Sequence, residues 1–280
     1  MSIFMKKIKG VMMMCFNTVV INLKGKNDYR GLIKSLYYEF SHNKDGIFLY
    51  NSLTRNVVRE VGTDEQYRKI IDNFDFNTNE NTLIHMHLRL ATRGKVNRDN
   101  VHGWNYKLDG EEYLCSHNGS YNEYKYYTSS KRKRSKKFYE GEEDNVISGL
   151  GYYYSYYGSY PGSYLGDNSD SKEFFDKLFV ALNKGDKVEK LIKDFYGVAF
   201  CTSPNSILAI SHDKSMKIAY LGDSLVLSNE SLYTDLSYNA DGYEFKVESP
   251  EIYNKMILID IKKRQVKELY KFSYGWSWSE

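Results

Sequence analysis

The chain has 280 residues and a formal net charge of +3. It is long enough to bury a full hydrophobic core, and too nearly neutral for its overall charge to point to nucleic acid or a membrane surface. Its three cysteines, Cys15, Cys115 and Cys201, are far apart and odd in number, which excludes a disulfide framework and suits a reducing cytoplasm.

The first residues, MSIFMKKIKGVMMM, have the basic start of a signal peptide. Their apolar part is too short, however, and Met rather than a small residue precedes the possible cleavage point. Residues 1–14 are expected to be a leader or upstream extension that is removed, ahead of a domain over 15–272 and a tail over 273–280. No apolar run approaches the roughly 20 residues of a membrane helix.

After Cys15, FNTVVINL is a β-branched strand pattern. Leu32, Ile33, Leu36, Tyr37 and Phe40 fall at helical spacing over 28–41. GIFLYN (46–51) and NVVREV (56–61) predict two short strands around a turn. Thr63-Asp64-Glu65-Gln66 is a capping box that opens a helix through Ile70 and Ile71. TLIHMHLRLAT (82–92) and EYLCSHN (112–118) predict strands, and a helix is expected from about Asp144 through Val146, Ile147 and Leu150. Residues 151–168, GYYYSYYGSYPGSYLGDN, are a low-complexity Tyr/Gly/Ser surface insertion.

Two helices are predicted next, over 171–184 and 186–195. Strands then dominate: 196–202, 206–211, 216–222, 224–228, 243–247, 255–261 and 265–272. Strands arriving in runs, without regular helix alternation, define an α+β rather than a doubly wound protein. There is no internal repeat and no linker long enough to separate two domains.

Polar residues crowd where strands should end, in HLRLATRG (87–94), SHNGSYN (116–122) and EGEEDNVI (140–147). With Cys15 they provide a thiol, a guanidinium, an amide beside a glycine, and carboxylates. Amide hydrolysis asks for a nucleophile, a base, an oxyanion hole and a grip on the substrate. No Cys/His dyad is evident from spacing. If Cys15 were the first residue, its own α-amine, with a pKa near ~8, could act as the base. The triple methionine then has a meaning: initiation at Met14 followed by methionine removal exposes Cys15, and self-cleavage of the leader is the other route.

Cys15, HLRLATRG, HNG and a carboxylate before Val-Ile together resemble the class II glutamine amidotransferase (N-terminal nucleophile hydrolase) family. Its glutaminase domains begin at Met-Cys and carry H-x-R-x-x-T-x-G, HNG and TDTEVI-like segments in that order. Residues 207–230, ILAISHDKSMKIAYLGDSLVLSNE, also resemble the family's strand pair that leads to an "ASE"-like end. The resemblance covers roughly 15–269 and implies an αββα four-layer sandwich of two mainly antiparallel sheets. It further implies a cysteine Ntn-type amide hydrolase that needs no cofactor and turns glutamine into glutamate and ammonia through a γ-glutamyl thioester.

The resemblance also implies residue roles. Cys15 is the nucleophile. The Asn118 side-chain amide and the Gly119 N–H form the oxyanion hole, where one donor is worth about 3 kcal/mol of barrier. Arg89 grips the substrate α-carboxylate by a bidentate pair, Thr92 adds a hydrogen bond, and Glu143 or Asp144 binds the α-ammonium. Three positions and one segment depart from the pattern. Phe16 replaces Gly, Leu90 an aromatic residue, and Arg93 a His or small residue, while EEDNVI stands for TDTEVI with Glu143 rather than Asp144 at the strictly aligned acid position.

The ammonia goes either to a separate synthetase subunit or, in a free-standing amidase, to no acceptor. The competing expectations are a non-catalytic binding module that keeps residues 1–14, an amidase for another amide, and a metallohydrolase using His85 and His87. Against the last, no carboxylate-rich ligand set accompanies these histidines, or His102 and His117, so structural histidines are favoured over a metal site. Cys115 and Cys201 have apolar strand contexts and read as core. KRKRSKK (131–137) is offset by EGEED, so a solvated loop is favoured over a nucleic-acid or anionic partner.

Overall fold

A computed structural model describes residues 15–41, 43–91, 94–121, 169–212, 216–230, 245–246 and 252–272. The leader, Thr92, Arg93, the basic run 131–137, Glu143, Asp144, the helix expected near Asp144, the Tyr-rich insertion and the tail over 273–280 lie outside the described residues.

The strand that follows Cys15, β1 (Phe16–Asn22), is buried on both faces along its whole length. It lies between β6 (Thr82–Leu88) and β12 (Ser224–Ser228), antiparallel to both. Outward along the same sheet come β3 (Ile47–Asn51) and β4 (Asn56–Glu60) on one side, and β11 (Lys217–Leu221) and β13 (Phe245–Lys246) on the other. A second, six-stranded sheet runs in the order β15 (Gln265–Lys271), β14 (Lys255–Asp260), β10 (Ser206–His212), β9 (Phe195–Thr202), β8 (Glu111–Tyr121) and β7 (Trp104–Leu108). A two-stranded ribbon pairs β2 (Lys26–Asp28) with β5 (Asn77–Asn79).

Side-chain alternation along the strands builds four layers. Val19 and Ile21 of β1 face inward and pack with Val198, Phe200, Ile207 and Ala209 of the second sheet. Phe16 and Val20 face outward and pack under α1 (Arg30–Glu39) and α2 (Asp64–Asn73) through Leu32, Leu36, Tyr67 and Ile71. On the far side Cys115, Ala199, Cys201 and Leu208 pack under α3 (Asp170–Lys184) through Phe174, Phe175 and Leu178. The molecule is thus an αββα sandwich of two antiparallel sheets. Among the described residues no helix is long and apolar enough to cross a membrane.

The capping box forms as its residues demand: the Thr63 hydroxyl accepts the Gln66 N–H at 3.3 Å while the Gln66 side chain accepts the Thr63 N–H at 2.7 Å. Two expected elements are shorter than their patterns. Only Glu189–Ile192 forms a helical turn (α4) within 186–195, because Phe195 pairs with Tyr121 and begins β9. The strand expected over 82–92 ends at Leu88, where the chain's next donors turn to other partners.

Candidate active site

Those donors define the site. The Leu90 N–H points at the Cys15 sulfur at 3.2 Å, and the thiol lies 3.3 Å from the Leu90 carbonyl. The Ala91 N–H goes to the Asp45 carboxylate at 2.7 Å. Burial pushes the Cys15 thiol up to about 11, against the Leu90 hydrogen bond and the Arg89 charge, which favour the thiolate. At neutral pH the sulfur therefore carries its proton, and attack requires a base.

Cys15 is strapped to β12's end by Asn229. The Asn229 side chain donates to the Cys15 carbonyl at 3.2 Å and accepts the Asn17 N–H at 2.5 Å, while its own N–H returns to the Asn17 carbonyl at 3.2 Å. Asn229 lies in the Ser-Asn-Glu that was read as the "ASE"-like end.

Arg89 is 2% exposed. Its guanidinium donates to the carbonyls of Lys95 at 3.2 Å and Gly94 at 3.3 Å. Burial lowers its proton affinity, while the charges of Asp45 and Asp170 and the neighbouring Cys15 thiol raise it.

Asn118 faces inward from β8 and is 1% exposed; its side-chain Nδ2 has no hydrogen-bond partner among the described residues. An unpaired buried donor costs about 1–3 kcal/mol, so a polar group that arrives there gains from meeting it. Next to it, Gly119 pairs with Gly197 of β9. Gly119 has φ +148°, and a Cβ there would sit 1.8 Å from the Tyr196 carbonyl oxygen and 2.8 Å from the Gly197 Cα. Only glycine allows the two backbones this close.

The two sheets meet so that Cys15 and Asn118 lie at the same end. His85 bonds Ser116 at 2.7 Å, and His87, two residues nearer Arg89, bonds the His117 carbonyl at 3.2 Å. Moving along β6 toward Cys15 therefore moves along β8 toward Asn118. Asp170, in the first turn of α3, closes this end. Its carboxylate accepts the Tyr121 N–H at 2.8 Å and the Ser171 N–H at 3.0 Å, and its charge acts on both Cys15 and Arg89. The structure thus gathers Cys15, Arg89, Asn118 and Gly119.

Asp170 was not weighed from sequence. The signal was present: Ser169-Asp170-Ser171 ahead of Phe174-Phe175 resembles the T-D-T opening of TDTEVI. It lies 26 residues beyond Asp144, past the Tyr-rich insertion.

The histidines find partners within the fold. His85 bonds Thr202 at 2.8 Å as well as Ser116, and burial holds it down to about 3. His102 accepts the His117 N–H at 3.1 Å and stacks on His87 at 3.9 Å. His117 bridges the Ser171 hydroxyl at 2.9 Å and the Tyr196 carbonyl at 3.0 Å. Among the described residues no group of three His, Cys, Asp or Glu side chains is arranged to hold a metal ion.

Residues 40–136 match the family model of the class II glutamine amidotransferases. That segment contains HLRLATRG and HNG, so the likeness to the class II glutamine amidotransferases rests on residues 40–136; Cys15 and Asp170 lie outside them. No curated protein matches the chain. Among solved structures it is similar to the glutamine phosphoribosylpyrophosphate amidotransferase of B. subtilis complexed with ADP and GMP. The two are 11% identical over 92% of this chain and 49% of that one, with a TM-score of 0.49. It is also similar to a glutamine aminotransferase class-II domain protein from Silicibacter pomeroyi, at 11% identity over 93% of this chain and 100% of that one, with a TM-score of 0.44. This chain spans about half the length of the B. subtilis enzyme, and at these scores neither likeness adds to the fold described above.

Proposed function

We propose that the protein hydrolyses the side-chain amide of glutamine with Cys15 as an N-terminal nucleophile. Removal of residues 1–14 frees the Cys15 α-amine. The amine takes the thiol proton, and the sulfur attacks the amide carbon. The developing oxyanion is received by the Asn118 Nδ2 and the Gly119 N–H. The tetrahedral intermediate collapses, ammonia leaves with the proton held by the amine, and water hydrolyses the remaining γ-glutamyl thioester to glutamate. Arg89 binds the α-carboxylate and Thr92 assists. Asp170 receives the α-ammonium, a task the sequence pattern had put on Glu143 or Asp144.

The observation that carries this proposal is the Asn118 amide, buried, without a partner among the described residues, and at the end of the sandwich where Cys15 sits. The thiol raised to about 11 supports the need for a base, and an α-amine with a pKa near ~8 is suited to it. The ammonia passes to a separate synthetase subunit, or is released by a free-standing amidase.

N-terminal sequencing of the mature protein, combined with a glutaminase assay, tests it. Cys15 should be the first residue, and Cys15→Ala should abolish glutamate release. Mature, active protein that retains residues upstream of Cys15, or a Cys15→Ala variant with undiminished activity, would overturn it.

A further inference from the structure

β1 has an apolar, β-branched centre (Val19, Val20, Ile21), and next to its start Asn17 lies fully buried, facing the space between the sheets. Its Oδ1 accepts the Ser116 hydroxyl at 2.7 Å and lies 3.2 Å from the His85 Nε2. Ser116 and His85 bond each other at 2.7 Å, and the other ring nitrogen of His85 meets the Thr202 hydroxyl of β9 at 2.8 Å. The Asn17 Nδ2 has no partner among the described residues, so the side chain is retained at a cost to stability.

Its place in the chain explains what the cost secures. Asn17 is two residues after Cys15 and Ser116 two residues before Asn118, so each shares a strand face with its partner in the site. One short bond from Asn17 to Ser116 therefore ties the strand that presents the sulfur to the strand that presents the oxyanion donor. The backbone of Asn17 is held independently by Asn229, which also holds the Cys15 carbonyl.

We propose that Asn17 is a positioning residue: through Ser116 and His85 it sets the separation between the Cys15 sulfur and the Asn118 amide. This rests on the glutaminase function proposed above. It predicts an effect on the chemical step alone, because the Asn17 side chain bonds Ser116 and His85 and the thiol keeps its Leu90 contact.

The test compares Asn17→Leu and Ser116→Ala with wild type in the mature protein. A misplacement of about 1 Å costs about 100-fold in rate, so kcat for glutamine should fall by about 10- to 100-fold in Asn17→Leu and by less in Ser116→Ala. KM should stay within about twofold, since a loss confined to the transition state leaves substrate binding untouched. Alkylation of Cys15 by iodoacetamide, which uses the sulfur but no oxyanion hole, should keep its wild-type rate. If Asn17→Leu does not fold, Ser116→Ala carries the test alone. Unchanged kcat, a KM that rises in step with the loss, or alkylation that slows in parallel with turnover overturns the positioning role. A wild-type protein with no glutaminase activity overturns the proposed function instead, so the two failures are distinct.

Discussion

Replacing Asp170 with Asn separates three consequences of one carboxylate. The substitution conserves shape but removes the charge and one of two acceptor oxygens. Those oxygens serve the Tyr121 and Ser171 N–H groups at 2.8 and 3.0 Å, so one backbone donor loses its partner, at about 1–3 kcal/mol. The negative charge at the start of α3 also goes, worth about 0.3–1 kcal/mol. A melting temperature lower by about 3–16 °C should follow, on the scale of about 2–4 °C per kcal/mol for a domain of this size. The Cys15 thiol should move the other way, toward easier ionisation, because Asp170 is one of the charges that raise it.

Substrate binding should suffer most. A hydrogen bond to a charged group is worth about 1.5–3 kcal/mol, and 1.4 kcal/mol is tenfold, so KM for glutamine should rise by about 10- to 150-fold in Asp170→Asn. Initial rates of glutamate release measure it. Glutaramate, which is glutamine without its α-amino group, supplies the control: it has no ammonium for Asp170 to hold, so wild type and variant should turn it over alike. An equal penalty on glutaramate would refute the ammonium contact. So would an unchanged KM for glutamine in Asp170→Asn alongside a raised one in Glu143→Gln or Asp144→Asn.

Gly119→Ala should leave little folded protein. Its Cβ would meet two backbone atoms that cannot step aside, at 1.8 and 2.8 Å, a mechanism expected to exceed about 4 kcal/mol; a wild-type melting curve would contradict the close approach of β8 and β9. Acid should destabilise the fold well before its carboxylates titrate. His85 is held down to about 3, and burial pushes His87 and His102 well below the usual range. The unfolded chain takes up these protons below about pH 6.5 and the native state does not, so stability falls as pH drops through 6.5, by at most about 4 kcal/mol per pH unit for three histidines. A melting temperature that stays flat from pH 7 to pH 5 would show that the three are protonated in the native state. Thr63→Ala, which removes the α2 cap, should cost about 1 kcal/mol on thermal melting with glutamine turnover unchanged.

Strands such as β1, β9, β10 and β14 were legible because each is centred on a short run of apolar, often β-branched residues, and α2 because its cap is written in four adjacent residues. β7 was not: Trp-Asn-Tyr-Lys-Leu is half polar, and it becomes a strand by pairing with β8. Of the proposed site, Cys15, Arg89, Asn118 and Gly119 were legible as short motifs. Asp170, which the proposal puts in the role first read onto Glu143 or Asp144, was passed over because a more acidic stretch came first in the chain. Asn17 was hidden for a deeper reason: its side-chain partners lie 68 and 99 residues away, and no local pattern announces a bond across two sheets.

That separation has a consequence for how such a site fails. The proposed nucleophile stands on one sheet and the proposed oxyanion donor on the other, with Arg89 in the loop after β6 and Asp170 at the head of a helix that packs outside the second sheet. No single element contains the chemistry, so its geometry is a property of the inter-sheet packing. An apolar interior would tolerate small sliding of one sheet over the other with little change in buried area. The Asn17, Ser116, His85 and Thr202 bonds resist that sliding, since hydrogen bonds are directional where dispersion contacts are not. Loosening the space between the sheets should therefore lower kcat before it lowers stability.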